Sequence, residues 1–213
     1  MTDAFPGGAA DPRARPRPRV TWSFAATLDG RSAASDGTSR WISSPAALRD
    51  THRLRSECDA IIVATETASI DNPALTARDE LDRPLPRQPL RVVMGLRDLD
   101  PGLQVFDDAA ETVQIRTREP LVALGELAAR GCRSVLLEGG PTLAAAFLRA
   151  GVVDEVIAYI APKLLGAGRP AVADFGVSTI SEALAGQVSD ITIIGGHDEA
   201  PNVRITLRPF PAI

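Results

Sequence analysis

Glu138, Gly139, Gly140, Pro141 and Thr142 stand where the apolar run SVLL hands over to TLAAAFLRA, a segment of helical composition. A strand ending in two glycines, followed by a helix that begins at a proline, leaves unpaired amides at the helix N-terminus. Those amides, with the helix dipole, favour a phosphate, and glycine lets it approach the backbone. The same residues also make an ordinary tight turn, and their spacing is neither GxGxxG nor GxxxxGK[ST]. Glu138 ends its strand, where open α/β sheets place ligands. It reads as a surface carboxylate or as an acceptor for a sugar hydroxyl or ring N–H.

A second constellation lies between residues 29 and 78. Arg49, Arg53 and Arg55 fall on a helical segment, and Arg78 follows the loop DNPALT. Arg55 and Arg78 can grip a phosphate through paired N–H donors, or be solvated like most helix arginines. Trp41, flanked by turns rich in Gly, Asp and Ser, is a core aromatic or a cofactor wall. His52 and His197 build no recognisable site, and no HExxH, GxSxG or Cys/His nucleophile pattern is present. No catalytic residue is assigned. The lack of an acid–base constellation suits a reaction in which a cofactor performs the hard step.

The elements that must position these groups alternate between strand and helix. VTWSFAATLDG reads as a strand ending in an Asp-Gly turn, and SSPAALRDTHRLRSE as a helix with Pro45 near its start. DAIIVAT, LRVVMG, TVQIRT, SVLLEGG and EVIAYIAP read as strands. PLVALGELAARG and PTLAAAFLRAG read as helices closed by Gly131 and Gly151. ISEAL is a candidate short helix, and SDITIIGGHD with NVRITLRP a closing antiparallel pair. Strands alternating with helices imply an α/β layered fold with a largely parallel sheet.

Composition narrows the partners. The 213 residues are 45% hydrophobic and 23% charged with net charge −4, so no basic field recruits nucleic acid or an anionic membrane. Lys163 is the only lysine, so any phosphate clamp is an arginine one. Cys58 and Cys132 stand alone, which supports neither a metal site nor a disulfide framework. With no membrane-length apolar run and no secretion signal, the expectation is a cytoplasmic protein. Residues 1–19, rich in Pro, Gly, Ala and Arg, read as a disordered leader before a single domain over 20–213.

Six stretches in order, TLDGRSAASDGTSRWIS, HRLRSECDAIIV, IDNPALTAR, QPLRVV, LLEGGPTLAAAFLRAG and DEVIAYIAPKLLG, carry a family resemblance. From about Val20 onward the chain resembles the pyrimidine reductase of riboflavin biosynthesis, the reductase half of the bifunctional deaminase–reductase. The resemblance implies a dihydrofolate-reductase-like, three-layer α/β/α fold with antiparallel C-terminal strands. It implies NADPH-dependent reduction of 5-amino-6-(5-phosphoribosylamino)uracil to the ribitylamino product, commonly by a homodimer. It places Gly139, Gly140, Pro141, Thr142, Leu143, Ala144, Ala145 and Ala146 around the NADPH phosphates, with Trp41, Thr67 and Asp71 also on the cofactor. Ser39, Arg55, Leu75, Arg78 and Glu138 fall in the substrate pocket, the arginines toward the ribose phosphate.

Three departures from the family pattern stand out. Ser23 occupies a position where relatives commonly carry lysine. Ala64, Glu66 and Asn72 replace glycines and an aspartate in ATETASIDNP, and Gly95 and Leu96 stand where a serine often follows QPLRVV. The deaminase's H-x-E and P-C-x-x-C signature has no counterpart. Two other readings remain: a reductase of another heterocycle such as a pterin, and a non-catalytic nucleotide-binding homologue.

Overall fold

The computed structural model describes residues 17–40, 42–196 and 200–208. Most of the 1–19 leader lies outside them, as do Trp41 and His197. The elements are β1 (Arg19–Thr27), β2 (Arg31–Ala33), α1 (Pro45–Glu57), β3 (Ala60–Ala64), α2 (Thr65–Asp71), β4 (Leu90–Met94) and β5 (Thr112–Ile115). There follow α3 (Pro120–Ala129), β6 (Ser134–Leu137), α4 (Pro141–Arg149), β7 (Glu155–Ala161), β8 (Arg169–Pro170), β9 (Gln187–Ile194) and β10 (Asn202–Arg208).

Eight strands form one sheet in the order β5-β4-β3-β6-β1-β7-β10-β9. All pairs from β5 through β7 are parallel, and β10 runs antiparallel to both β7 and β9. The expected mostly parallel sheet with antiparallel C-terminal strands is therefore present. The central strands read as unbroken apolar runs because both faces are covered. On one face Leu124 and Leu127 of α3 and Phe147 and Leu148 of α4 pack with Val20, Trp22 and Leu137. On the other, Ala47 and Leu54 of α1 and Ala68 of α2 pack with Ile61, Leu136 and Tyr159. The result is three layers.

Local chemistry sets the helix starts. Ser44 caps α1 by accepting the Ala47 amide at 3.2 Å, and Pro45 fills the first turn. Two features differ from the sequence reading. Residues 65–71, to which the sequence reading assigned no helix, form α2, whose threonines and serine favour helix weakly and which is held by the fully buried Ala68. The short β2–β8 pair is also new, too brief to leave a periodic signal. ISEAL contributes a 3-10 turn, Ile180–Glu182, with a Thr179/Glu182 capping box. At the other end, Arg17 already pairs with Asp154 at 2.6 Å, and β1 begins at Arg19.

One buried charge organises the loops beside β4. Arg91 is 0% exposed. Its guanidinium donates to the carbonyls of Ala74 at 3.2 Å and Gln104 at 3.3 Å, to the Asp107 carboxylate at 2.7 Å, and to the Ala110 carbonyl. Arg91 thereby ties the DNPALT loop to the 104–110 segment. Arg91 and the Ala109 amide hold the Asp107 carboxyl below the usual carboxylate range. Asn72, left-handed at the C-terminus of α2, adds a tie by accepting the Gln104 amide at 2.7 Å.

Candidate functional site: a crevice at the end of β6

The chain leaves β1, skips a strand position to build β3, β4 and β5 outward, then returns to insert β6 between β3 and β1. Such a reversal opens a crevice at the carboxyl ends of the strands. A cleft of about 520 Å³ lies there. Glu138 through Leu143 line it from β6 and α4, and Glu66, Thr67, Ile70 and Asp71 from α2. Ser23, Thr51, Arg55 and Tyr159 lie along it too, with Ser39 and Arg169.

The two glycines do different things. A Cβ on Gly139 would lie 2.4 Å from Leu143 Cδ2 and 2.9 Å from Leu143 Cβ, so its absence lets the turn pack on α4. A Cβ on Gly140 would meet only Thr67 Oγ1, at 3.7 Å. That atom would project into the cleft. Gly140 is the N-cap of α4, no side chain caps the helix, and the first intrahelical bond is Ala144 N–H to the Gly140 carbonyl at 3.1 Å. The Thr142 and Leu143 amides thus have no helical acceptor, and Pro141 has no N–H to leave unpaired. This donor set suits a phosphate, and the space that a Gly140 Cβ would fill admits one.

Glu138 and Arg55 form a bidentate pair. Arg55 Nε donates to Glu138 Oε1 at 2.8 Å and Nη2 to Oε2 at 2.6 Å, with side chains only 15% and 13% exposed. Burial opposes the Arg55 charge, but Glu138 outweighs it and raises the guanidinium above its ordinary value. Arg55 Nη1 also donates to the Thr76 carbonyl at 3.1 Å, which His52 Nδ1 meets at 3.0 Å. Burial, then the Arg55 charge, lower the His52 pKa, so Nδ1 acts as the donor of a neutral ring. Arg78 Nε reaches Thr76 Oγ1 at 3.1 Å, and its Nη1 the Asp82 carboxylate at 3.3 Å. Three basic side chains therefore converge on Thr76.

The opposite wall is polar but tied. Ser23, 7% exposed, sits on β1 opposite Ile157 of β7. Tyr159 donates its hydroxyl to Asp50 Oδ2 at 2.7 Å, and Arg204 reaches the same oxygen at 3.0 Å. Burial and that Asp50 contact raise the phenol's pKa, so Tyr159 stays protonated. Asp29, in the turn after β1, accepts the Thr27 hydroxyl at 2.6 Å and the Gly166 amide at 2.6 Å, which bring its carboxyl down to about 2. Asp29 thereby locks the KLLG segment to the LDG turn. Burial pushes the Cys58 thiol up to about 12, so it is no nucleophile.

The structure brings Ser39, Arg55 and Glu138 to the cleft together with Thr67, Asp71 and the 139–143 segment. Ala144, Ala145 and Ala146 continue α4 beyond the lining residues, the first two buried in its packed face. Leu75, 2% exposed, adopts the left-handed backbone (φ 50°) and packs into the core below the cleft. A non-glycine residue there is strained, and its buried side chain fixes the loop. Arg78 also lies outside the lining. Sequence reasoning missed Thr51, Tyr159 and Arg169. The first two sit among core-facing positions, and Arg169 belongs to a loop without period. Its place after KLLGAG was the only available cue.

Fold and crevice together define a doubly covered α/β domain whose sheet opens a cleft at its switch point, with the uncapped first turn of α4 on its wall. Comparison with known proteins narrows this. The RibD C-terminal domain model matches residues 18–193, and the chain belongs to that family. Riboflavin biosynthesis protein RibD of Mycobacterium tuberculosis H37Rv is 53% identical over 178 residues, covering 84% of this chain and 52% of the relative. Its Escherichia coli K12 counterpart is 36% identical over 181 residues, covering 70% and 49%. The chain thus spans about half the length of the curated relatives it matches. The solved Acinetobacter baumannii RibD superposes with TM-score 0.78 at 26% identity, over 91% of this chain and 58% of that one. A Thermotoga maritima structure, described as a diaminohydroxyphosphoribosylaminopyrimidine deaminase/5-amino-6-(5-phosphoribosylamino)uracil reductase, matches with TM-score 0.73 at 25% identity, over 91% and 57%.

Proposed function

We propose that this chain is an NADPH-dependent reductase of 5-amino-6-(5-phosphoribosylamino)uracil in riboflavin biosynthesis. The observation that carries the reading is one cleft holding both the uncapped first turn of α4 and the fixed Arg55–Glu138 pair. Family membership and the activity named for the Thermotoga relative support it.

NADPH, when bound, supplies hydride. The chain's own residues do the rest. The Thr142 and Leu143 amides, with Gly139, Gly140 and Pro141 shaping their approach, receive the cofactor phosphates. Thr67 and Asp71 offer a hydroxyl and a carboxylate on the facing helix, and Ala144 to Ala146 continue the helix that aims those amides. Arg55 orients Glu138, whose remaining lone pairs accept from substrate hydroxyl or N–H groups. Ser39 adds a hydroxyl, Leu75 fixes the substrate loop, and Arg78 turns its remaining donors to the ribose phosphate. Trp41 belongs to the cofactor contacts by resemblance.

The test follows loss of nicotinamide absorbance in purified protein given NADPH and the phosphorylated ribosylaminouracil. Turnover is expected; NADPH binding without turnover overturns the reading. Ser23 favours a second reading, because a short hydroxyl replaces an ammonium beside the reacting sugar. Turnover of a phosphorylated pterin in preference to the pyrimidine would establish that alternative. The protein is proposed to work in the cytoplasm, as a single domain and as a homodimer. Edge strand β9 offers the dimer a face in Val188, Ile191 and Ile193, which are 50%, 63% and 70% exposed. Light scattering that reads a monomer at micromolar concentration would remove the dimer.

A further inference from the structure

We infer that Arg169 holds the diphosphate bridge of the dinucleotide cofactor against the first turn of α4, an inference that rests on the proposed NADPH reading.

Charge across the cleft points to this residue. Among the lining residues two are cationic, Arg55 and Arg169, and three are carboxylates, Glu66, Asp71 and Glu138. Arg55 is already committed, with two bonds on Glu138 and one on the Thr76 carbonyl. The Arg169 guanidinium makes no hydrogen bond or ion pair among the described residues. A diphosphate brings two negative charges into a cleft already one charge negative, and a helix N-terminus returns only about half a charge. Among the described lining residues, Arg169 is the one uncommitted cation. Its planar fork suits two phosphate oxygens better than a lysine's point charge would.

The backbone fixes where that fork starts. Arg169 pairs with Ala33 across β2–β8, and Ser32 Oγ donates to the Pro170 carbonyl at 3.0 Å. The Ala171 amide donates to the Gly30 carbonyl at 3.0 Å, and the Ala173 amide to the Pro141 carbonyl at 3.1 Å. The segment carrying Arg169 is thus stitched directly to the first residue of α4. Just before it, a Cβ on Gly168 would lie 2.2 Å from the Ala33 carbonyl oxygen, and its φ of +123° suits glycine alone. That close approach presses the segment onto β2 and keeps Arg169 beside the cleft. The phosphates would lie between α4 amides on one side and a guanidinium on the other.

The experiment measures NADPH and NADH dissociation constants by nicotinamide fluorescence, at low and moderate salt, for the wild type, Arg169→Ala and Arg169→Lys. Arg169→Ala is expected to weaken both dinucleotides by the same factor, about 10- to 100-fold, and to flatten the salt dependence. Arg169→Lys is expected to recover part of the loss. The side chain is exposed and has no partner among the described residues, so the melting midpoint without ligand should not move. Unchanged affinity in Arg169→Ala overturns the inference, as does a loss confined to NADPH, which would assign Arg169 to the 2′-phosphate. A wild type that binds neither dinucleotide overturns the cofactor reading itself and this inference with it. The wild-type titration alone distinguishes that case.

Discussion

Gly139→Ala and Gly140→Ala, adjacent and chemically identical, should fail in opposite ways. In G139A the new methyl meets Leu143 Cδ2 at 2.4 Å and Cβ at 2.9 Å, roughly an ångström inside contact, and Leu143 is held in the core by α4. Overpacking of this kind costs about 1–3 kcal/mol. At roughly 2–4 °C per kcal/mol for a chain of this size, the melting midpoint should drop by about 2–12 °C. G140A starts from φ −67°, which alanine adopts freely, and its methyl meets only Thr67 Oγ1 at 3.7 Å. Its midpoint should stay within about 2 °C of wild type, since the change falls among those worth roughly ±0.5 kcal/mol. The methyl, however, fills the approach to the free amides. Loss of one charge-assisted hydrogen bond, about 1.5–3 kcal/mol, weakens NADPH roughly 10- to 150-fold. Differential scanning fluorimetry and fluorescence titration on the same preparations read both quantities. If G140A binds NADPH like wild type, or if the two variants lose midpoint equally, the division of labour between the glycines is wrong.

Three further outcomes follow from the same structure. Glu66→Gln removes an exposed carboxylate that lines the cleft from the first turn of α2; NADPH should bind a few-fold more tightly, while the helix loses about 0.3–1 kcal/mol of dipole stabilisation, seen as a slightly lower midpoint. Arg91→Met leaves the carbonyls of Ala74, Gln104, Asp107 and Ala110 without their buried donor; urea unfolding should show a loss of at least about 3 kcal/mol, and a loss under about 1 kcal/mol would refute the anchoring role. The folded-state pKa of Asp29, about 2, lies below its ordinary 3.8, so its contribution is present above pH 3.8 and lost as pH falls through 2. Thermal midpoints between pH 5 and 2 should therefore fall more steeply in wild type than in Asp29→Asn, and parallel curves would remove the latch.

The alternating strands and helices, the Pro45 and Pro141 helix starts and the closing antiparallel pair were legible because each rests on periodicity or local backbone chemistry. α2 was not, since seven residues rich in Thr and Ser become helical only when Ala68 finds a buried seat. The site divided along the same line. Gly139, Gly140 and Glu138 announce themselves through strand-to-helix chemistry. Their partners do not, because Arg55 meets Glu138 across 83 positions of sequence and the 169–173 segment reaches α4 only through tertiary stitching. Spacing could say that two arginines were available for phosphate. It could not say that one was already spent on a carboxylate.

That pairing changes what the cleft can do with charge. A guanidinium bound bidentately to Glu138 at 2.8 and 2.6 Å is a nearly neutral unit, better at presenting oriented donors and acceptors than at drawing in a dianion. Breaking it to free a phosphate clamp would strand a mostly buried carboxylate, at about 3–5 kcal/mol. Arg78 has no such obstacle. Its partner Asp82 has a side chain that is 78% exposed, and surface pairs of that kind contribute about 0–1 kcal/mol. Exchange of Asp82 for a substrate phosphate is therefore nearly free, whereas exchange of Glu138 is not. Under the proposed reaction, Arg55 and Glu138 act as one rigid recognition element at the sugar and pyrimidine. Charge neutralisation then falls to arginines that hold weak partners, or none among the described residues: Arg78 for the substrate, Arg169 for the cofactor.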